Sequence, residues 1–141
     1  MMKKIKYIYK DKIMIYTVRT STDIKTVKAE LEAKAKEVHF NLLSTYDFKH
    51  FFRNKGYPIK KDITVFELCN PANAQQVVEY LSEISVYLPC RISIYENNGI
   101  TYLSTIGLEE IVHTFEVDEH LQSHMSILFE NIKQIMHSWD K

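Results

Sequence analysis

Two cysteines mark the points where predicted strands meet a predicted helix. Cys69 ends an apolar, β-branched run that begins at Ile63, and Cys90 opens a second such run. Between them, Asn70-Pro71 is typical of a helix start, because Asn is a good N-cap and Pro suits the first helical position. The sequence therefore predicts a strand–helix–strand unit with both thiols at strand–helix junctions.

Further strands and amphipathic helices are predicted on both sides of this unit. The predicted strands cover residues 13–19, 40–45, 63–68, 90–96 and 100–106, with 4–10 as an extra strand paired to the first. The predicted helices begin at Ser21-Thr22-Asp23, at Asp47 and at Asn70 (ending near Ile84), and cover 108–115 and about 118–139. Asn98-Gly99 predicts a two-residue hairpin. Together they predict one domain over residues 1–141, an α+β or α/β two-layer sandwich whose single mixed sheet of four to five strands carries helices on one face.

Charge and hydropathy narrow the class of partner. The 141 residues carry 18 Lys and Arg against 18 Asp and Glu, so the formal net charge is zero and nothing favours nucleic acid or an acidic membrane. No stretch approaches the roughly 20 apolar residues of a spanning helix, and the basic N-terminus lacks the apolar run of a signal peptide. We expect a cytoplasmic protein, with reduced thiols and with neither nucleic acid nor membrane as partner.

The last predicted helix has the most regular apolar pattern in the chain. Its apolar residues alternate spacings of four and three, which is typical of a coiled-coil-like seam: Leu121, Met125, Leu128, Ile132, Ile135 and Trp139. The pattern favours packing of this seam on the sheet. A contact between two copies of the chain is the alternative.

The paired cysteine motifs carry a family resemblance. A strand ending in Cys69-Asn70-Pro71, an amphipathic helix, and then Leu88-Pro89-Cys90-Arg91 with Ile92-Ser93-Ile94-Tyr95-Glu96 resemble the family called domain of unknown function 302, from about Met14 to Glu110. The resemblance implies a small, compact α/β protein that pairs as a homodimer, with no established activity. The family tends to have Gly-Phe where this chain has His39-Phe40, which alters the backbone allowed there.

The cysteines are the first candidate site. If the two junctions share a sheet edge, Cys69 and Cys90 could bind a soft metal, handle sulfur or form a redox dithiol. The helix start after Cys69 would lower the pKa of that thiol. Asn70 and Arg91 are candidate ligand-binding residues, Arg91 for a thiolate or an anion, although it lies on the opposite strand face from Cys90. The alternatives are two small buried hydrophobes and a simple helix cap at Asn70.

The histidines are the second candidate site. His120 and His124 are four residues apart, so they share a helix face and could hold a haem or a metal, with His113 near enough to join them. The alternative is a pair of polar residues at the border of the core. Glu67 and Glu96 could act as acid or base groups, but each is expected to end a solvated strand edge.

The function expected from these patterns is binding without catalysis. No serine–histidine–acid arrangement, phosphate loop or dinucleotide motif is present, although spatial sites need not leave local motifs. The leading hypothesis is a homodimeric protein that binds a small ligand, a soft metal or haem. The alternatives are a thiol-dependent redox or sulfur-handling protein that uses Cys69 and Cys90, and an interaction module built on the final helix.

Overall fold

A five-stranded antiparallel sheet forms the centre of the molecule, in the order β3-β7-β6-β5-β4. The structure, a computed structural model, describes residues 8–9, 12–13, 15–107, 111 and 118–140. The main sheet consists of β3 (Ile15–Thr20), β4 (Asn41–Asp47), β5 (Ile63–Cys69), β6 (Cys90–Asn97) and β7 (Ile100–Ile106). Two short strands, β1 (Ile8–Tyr9) and β2 (Lys12–Ile13), pair only with each other among the described residues.

Four α-helices and one 3₁₀ helix within the described ranges connect or follow the strands. They are α1 (Ile24–Glu37), α2 (Phe48–Asn54), α3 (Pro71–Tyr80), the 3₁₀ helix Ser82–Tyr87 and α4 (Glu119–Met136). Buried residues of α1, α3 and α4 form one hydrophobic core with alternate residues of the strands. The predicted two-layer α+β sandwich is therefore confirmed.

The expectation of a mixed sheet was wrong, because all described neighbours in the main sheet pair antiparallel. The connection from β5 to β6 explains the difference. α3 leaves the end of β5, and the 3₁₀ helix brings the chain back to the same end, where Cys90 pairs with Leu68. A helix within a connection therefore does not make the joined strands parallel when the chain returns to the end that it left.

The N-cap side chains predicted for the first three helices form the expected hydrogen bonds: Asp23, Asp47 and Asn70 accept from the backbone N–H groups of Lys25, His50 and Asn73, respectively. At the start of α4, Asp118 likewise accepts from the N–H of Leu121. These bonds satisfy amide groups that the first helical turn leaves without partners. The hairpin is also confirmed, because Asn98 and Gly99 have φ angles of 52° and 80°, which type I′ turns require.

The apolar seam of α4 belongs to the core. The helix ends at Met136 and not at Trp139, so five of the six seam residues lie in α4 and Trp139 follows it. All six are buried, and none exposes more than 6% of its surface. Met136, beside the seam, is also buried, whereas Ile127 on another side of the helix is 44% exposed. The seam is thus part of the hydrophobic core that the helices share with the strands, and a contact between copies through α4 would need other residues.

Three predicted elements differ from the structure or lie outside it. α3 ends at Tyr80 instead of near Ile84, because Leu81 adopts extended backbone angles and the 3₁₀ helix begins at Ser82. The strand expected over residues 4–10 is described only at Ile8–Tyr9, where it pairs with β2 and not with β3. Of the helix expected over 108–115, only Ile111 lies within the described residues.

The end of α1 places a residue other than glycine in the left-handed region of backbone conformation. His39 has a φ of 63°, in the left-handed region. The N–H of Phe40 donates to the carbonyl of Ala35, and that of His39 donates to Lys36, which together make a Schellman motif. Glycine is the usual residue at this position because it has no Cβ. His39 therefore carries a conformational cost that the expected glycine would avoid.

We expect His39→Gly to raise the free energy of unfolding by about 0.5–1 kcal/mol, because relief of the left-handed strain exceeds the added entropy of the unfolded chain. Urea denaturation measures the change. Ala33→Gly, at an exposed position inside α1, is the control and should lower stability by about 1 kcal/mol. A loss of stability in His39→Gly would contradict this interpretation.

Candidate functional site

A cavity of about 360 Å³ lies between the helices and one end of the sheet. It is bounded by α3, the 3₁₀ helix, the start of β6, the end of β7 and α4. Its described lining is mainly aliphatic and aromatic, with a few polar residues: Val77, Ile84, Val86, Tyr87, Leu88, Pro89, Cys90, Arg91, Thr105, Ile106, Ile111, Met125, Leu128, Phe129 and Ile132. Its volume lies within the range of small-molecule sites.

The two cysteines lie at the same end of the sheet but on different faces. Cys90 pairs with the buried Leu68 and lines the cavity. Cys69 is the next residue after Leu68, and strand alternation places it on the other face, beside Asn41 of β4. Both thiols are free and partly buried. The prediction that both cysteines lie at one sheet edge is therefore confirmed, but only Cys90 faces the cavity.

The expected lowering of the Cys69 pKa was wrong. Burial raises the pKa of Cys69, so the loss of water around the thiol outweighs the partial charge of the helix terminus. Burial, and to a lesser degree the nearby Cys69, raise the pKa of Cys90 to about 12. Both groups are therefore neutral thiols near pH 7, and neutral thiols are poor nucleophiles and poor metal ligands.

We expect neither cysteine to alkylate rapidly with iodoacetamide near neutral pH. The thiolate is the reacting form, and a raised pKa moves its formation to more alkaline solution. Cys69→Ser and Cys90→Ser each leave one thiol, so that mass spectrometry follows each reaction alone. The alkylation rate of each cysteine should keep rising at pH values where the alkylation rate of free cysteine has already reached its plateau. A plateau below about pH 8 would contradict the expectation.

The guanidinium group of Arg91 is paired with the buried carboxylate of Glu67. Both side chains lie on the sheet face opposite that of the Cys90 thiol. Its Nε and Nη2 both lie 2.9 Å from Oε2 of Glu67. The Tyr46 hydroxyl donates to the other carboxylate oxygen at 2.9 Å. Glu67 is 7% exposed, so the expectation that it ends a solvated strand edge was wrong. Register explains the pairing, because Glu67 and Arg91 are direct partners across β5 and β6. Arg91 therefore contacts a carboxylate and not a thiolate.

Asn70 and His124 meet at the first turn of α3, whereas His120 lies beside Tyr80 at the end of that helix. The Asn70 side chain accepts from the Asn73 N–H at 3.2 Å, and Oδ1 of Asn73 lies 3.5 Å from Nδ1 of His124. The rings of His120 and His124 are 4.8 Å apart in an edge-to-face arrangement. Neither histidine lines the cavity. Of the two histidines, only His124 therefore approaches the helix start that follows Cys69.

No metal centre is assembled by these residues in the part of the chain that the structure describes. Groups of three or more His, Cys, Asp or Glu side chains able to hold a metal ion are absent there. His113, the expected third ligand, lies outside the described residues. A structural zinc site needs about four ligands, so His120 and His124 supply at most half of such a ligand set.

The model of the family described as "Domain of unknown function DUF302" matches residues 16–139. The chain belongs to the DUF302 family. The DUF302 match continues past Glu110 through α4, which the cysteine motifs alone did not reach. No curated protein matches the sequence.

A solved DUF302 structure has the same fold. The crystal structure of an uncharacterized conserved DUF302 protein from Bacillus stearothermophilus superposes with a TM-score of 0.83 at 22% sequence identity. The alignment covers 91% of this chain and 99% of that chain. At this level of identity the likeness concerns the fold alone.

The cavity lining contains functional candidates that motif analysis of this DUF302 chain missed. Tyr87 ends a 3₁₀ helix that the sequence did not predict, Leu88 follows it, and Phe129 lies just outside the seam of α4. A cavity is formed by residues distant in sequence and leaves no local spacing. The one available signal was Phe129, an apolar residue beyond the seam that widens the apolar arc of α4. Within the described residues, no helix has the length and apolarity to cross a membrane.

Proposed function

We propose that this protein binds a small, largely apolar molecule in the cavity between α3, α4 and the end of the sheet, without catalysing its conversion. The cavity of about 360 Å³ carries the proposal. A concave space of this size with a mainly apolar lining is typical of a small-molecule site.

The polar groups around the cavity are largely engaged elsewhere. Thr105 donates its hydroxyl to the Arg91 carbonyl at 2.6 Å, and the Arg91 guanidinium is held by Glu67. Cys90 offers a neutral thiol. Among the described lining residues, none carries a carboxylate or an ammonium group. The surface offered to a ligand is therefore apolar, and burial of apolar area would supply most of the binding free energy.

The other branches of the expected function have weaker support. The histidines lie outside the cavity lining, so a haem there would lack them as axial ligands. The raised pKa of both thiols argues against the thiol-dependent alternative. The buried seam of α4 argues against an interaction module that uses it. Pairing of two copies and a cytoplasmic location stay predictions.

The test is a titration with N-phenyl-1-naphthylamine, a neutral dye whose fluorescence rises in apolar surroundings. We expect saturable binding, and we expect 1-octanol to displace the dye better than octanoate does, because the cavity offers no free cation. Cys90→Phe should weaken dye binding at least about tenfold, since the ring occupies ligand volume.

Cys69→Phe is the matched control, because that thiol lies on the other face of the sheet. It should bind the dye as the parent protein does, with circular dichroism and thermal unfolding confirming the fold of both variants. Equal binding by the two variants, or no saturable binding by the parent protein, would overturn the proposal.

A further inference from the structure

Three polar side chains from opposite ends of the chain form a hydrogen-bonded relay beside α4. Oη of Tyr16, on the edge strand β3, lies 2.6 Å from Nε2 of His137. Nδ1 of His137 lies 2.7 Å from Oδ2 of Asp140. The order is hydroxyl, imidazole, carboxylate, with each distance in hydrogen-bond range. This is the arrangement in which a base activates a nucleophile while a third group orients the base.

The chemistry of the three groups fixes the direction of the hydrogen bonds when the imidazole is neutral. A carboxylate only accepts, so Nδ1 of His137 carries the proton and donates to Asp140. Nε2 is then the acceptor and receives the phenolic O–H of Tyr16. His137 is therefore held in the tautomer that can take the proton of Tyr16.

A cation and open solvent complete the surroundings of the phenol. Nζ of Lys133 lies 5.5 Å from the centre of the Tyr16 ring and also forms an ion pair with Glu130 at 3.1 Å. A positive charge at this distance favours the negative charge that develops on a reacting phenol. The side chains of His137 and Asp140 are 41% and 56% exposed, so a reagent can reach the relay from solvent.

We propose that Tyr16 is a nucleophile for small activated acyl esters, activated by His137 and oriented through Asp140. The phenolic oxygen attacks the acyl carbon while its proton passes to Nε2 of His137. The bond from the acyl carbon to the leaving phenolate breaks, which leaves an acyl ester on Tyr16, and the imidazolium of His137 passes its proton to the released phenolate or to water. This activity goes beyond ligand binding and does not rest on the cavity.

The test exposes the protein to p-nitrophenyl acetate and measures acetylation at each tyrosine by peptide mass spectrometry. Tyr16 should be acetylated at least about tenfold faster than Tyr95, since general-base assistance contributes about 10²–10⁴-fold in buried sites and less in exposed ones. Tyr95 is the matched control, because its hydroxyl bonds to Oγ of Ser104 at 2.8 Å and not to an imidazole.

Variants separate this role from a merely structural one. His137→Gln keeps a hydrogen-bonding group but removes the base, and Asp140→Asn removes the charge that orients the imidazole. Both should bring Tyr16 acetylation close to the Tyr95 rate, with thermal unfolding and Tyr95 acetylation unchanged. Acetylation of Tyr16 no faster than that of Tyr95, or an unchanged Tyr16 rate in folded His137→Gln, would overturn the proposal.

Discussion

Replacement of Phe40 by alanine is expected to lower the free energy of unfolding by about 3–5 kcal/mol, the usual cost of truncating a buried phenylalanine. Phe40 is 0% exposed and is among the largest fully buried side chains of the molecule. Its backbone N–H also closes α1 through the carbonyl of Ala35. The ring therefore fixes the place where α1 ends and β4 begins, and its loss leaves a cavity that rigid neighbours cannot fill.

Urea denaturation of Phe40→Ala and Phe51→Ala measures this effect against a matched control. Phe51 is 51% exposed and contacts chiefly the ring of Phe52 and the ammonium group of Lys55. Its truncation should cost below about 1 kcal/mol, because little apolar area returns to water. Similar losses in the two variants would contradict the assignment of Phe40 to the core.

The second large effect concerns Glu67, whose carboxylate is buried on the sheet face opposite that of the Cys90 thiol. Arg91→Ala should lower the free energy of unfolding by about 2–3 kcal/mol, below the 3–5 kcal/mol of a fully buried pair because Arg91 is itself exposed. The side chain of Glu67 is 9% exposed and that of Arg91 is 65% exposed. The loss arises from leaving Glu67 without its cation, with Tyr46 as its remaining side-chain donor in the described structure.

Glu67→Gln in the Arg91→Ala background identifies the cause of that loss. A neutral amide tolerates burial better than an unpaired carboxylate, so the double variant should recover most of the lost stability. Lys36→Ala is the control, because it removes an ion pair with Glu32 in which both side chains are exposed and 3.8 Å apart. That pair should contribute below about 0.5 kcal/mol to the free energy of unfolding. An Arg91→Ala loss as small as that of Lys36→Ala would contradict the account of Glu67.

The parts of the fold that could be predicted from the sequence depend on local interactions. Asp23 and Asn70 cap helices through bonds that span two or three residues, and Asn98-Gly99 fixes a turn through its own backbone angles. The seam of α4 was predicted because one helix repeats its apolar pattern over five turns. In each case the physical cause lies within one stretch of the chain.

Strand pairing and burial decide the parts that could not be predicted. Glu67 resembles any exposed glutamate until β6 places Arg91 opposite it. The position of Cys69 before a helix predicts a lowered pKa, but burial, which is a tertiary property, raises it. Tyr16 and His137 are 121 residues apart, so no spacing links them. The fold could thus be predicted in outline, while the sites depend on contacts between distant segments.

The measurement that tests the central claim most directly is alkylation of Cys90 by iodoacetamide in a Cys69→Ser variant, with and without saturating N-phenyl-1-naphthylamine. Cys90 lines the cavity, so a molecule bound there covers the thiol. Mildly alkaline solution brings the slow reaction within reach, since the pKa of this thiol is about 12. The account predicts that the rate falls as the dye binds and recovers when 1-octanol or dilution removes the dye. Dye binding with an unchanged Cys90 rate would place the dye elsewhere and contradict the account.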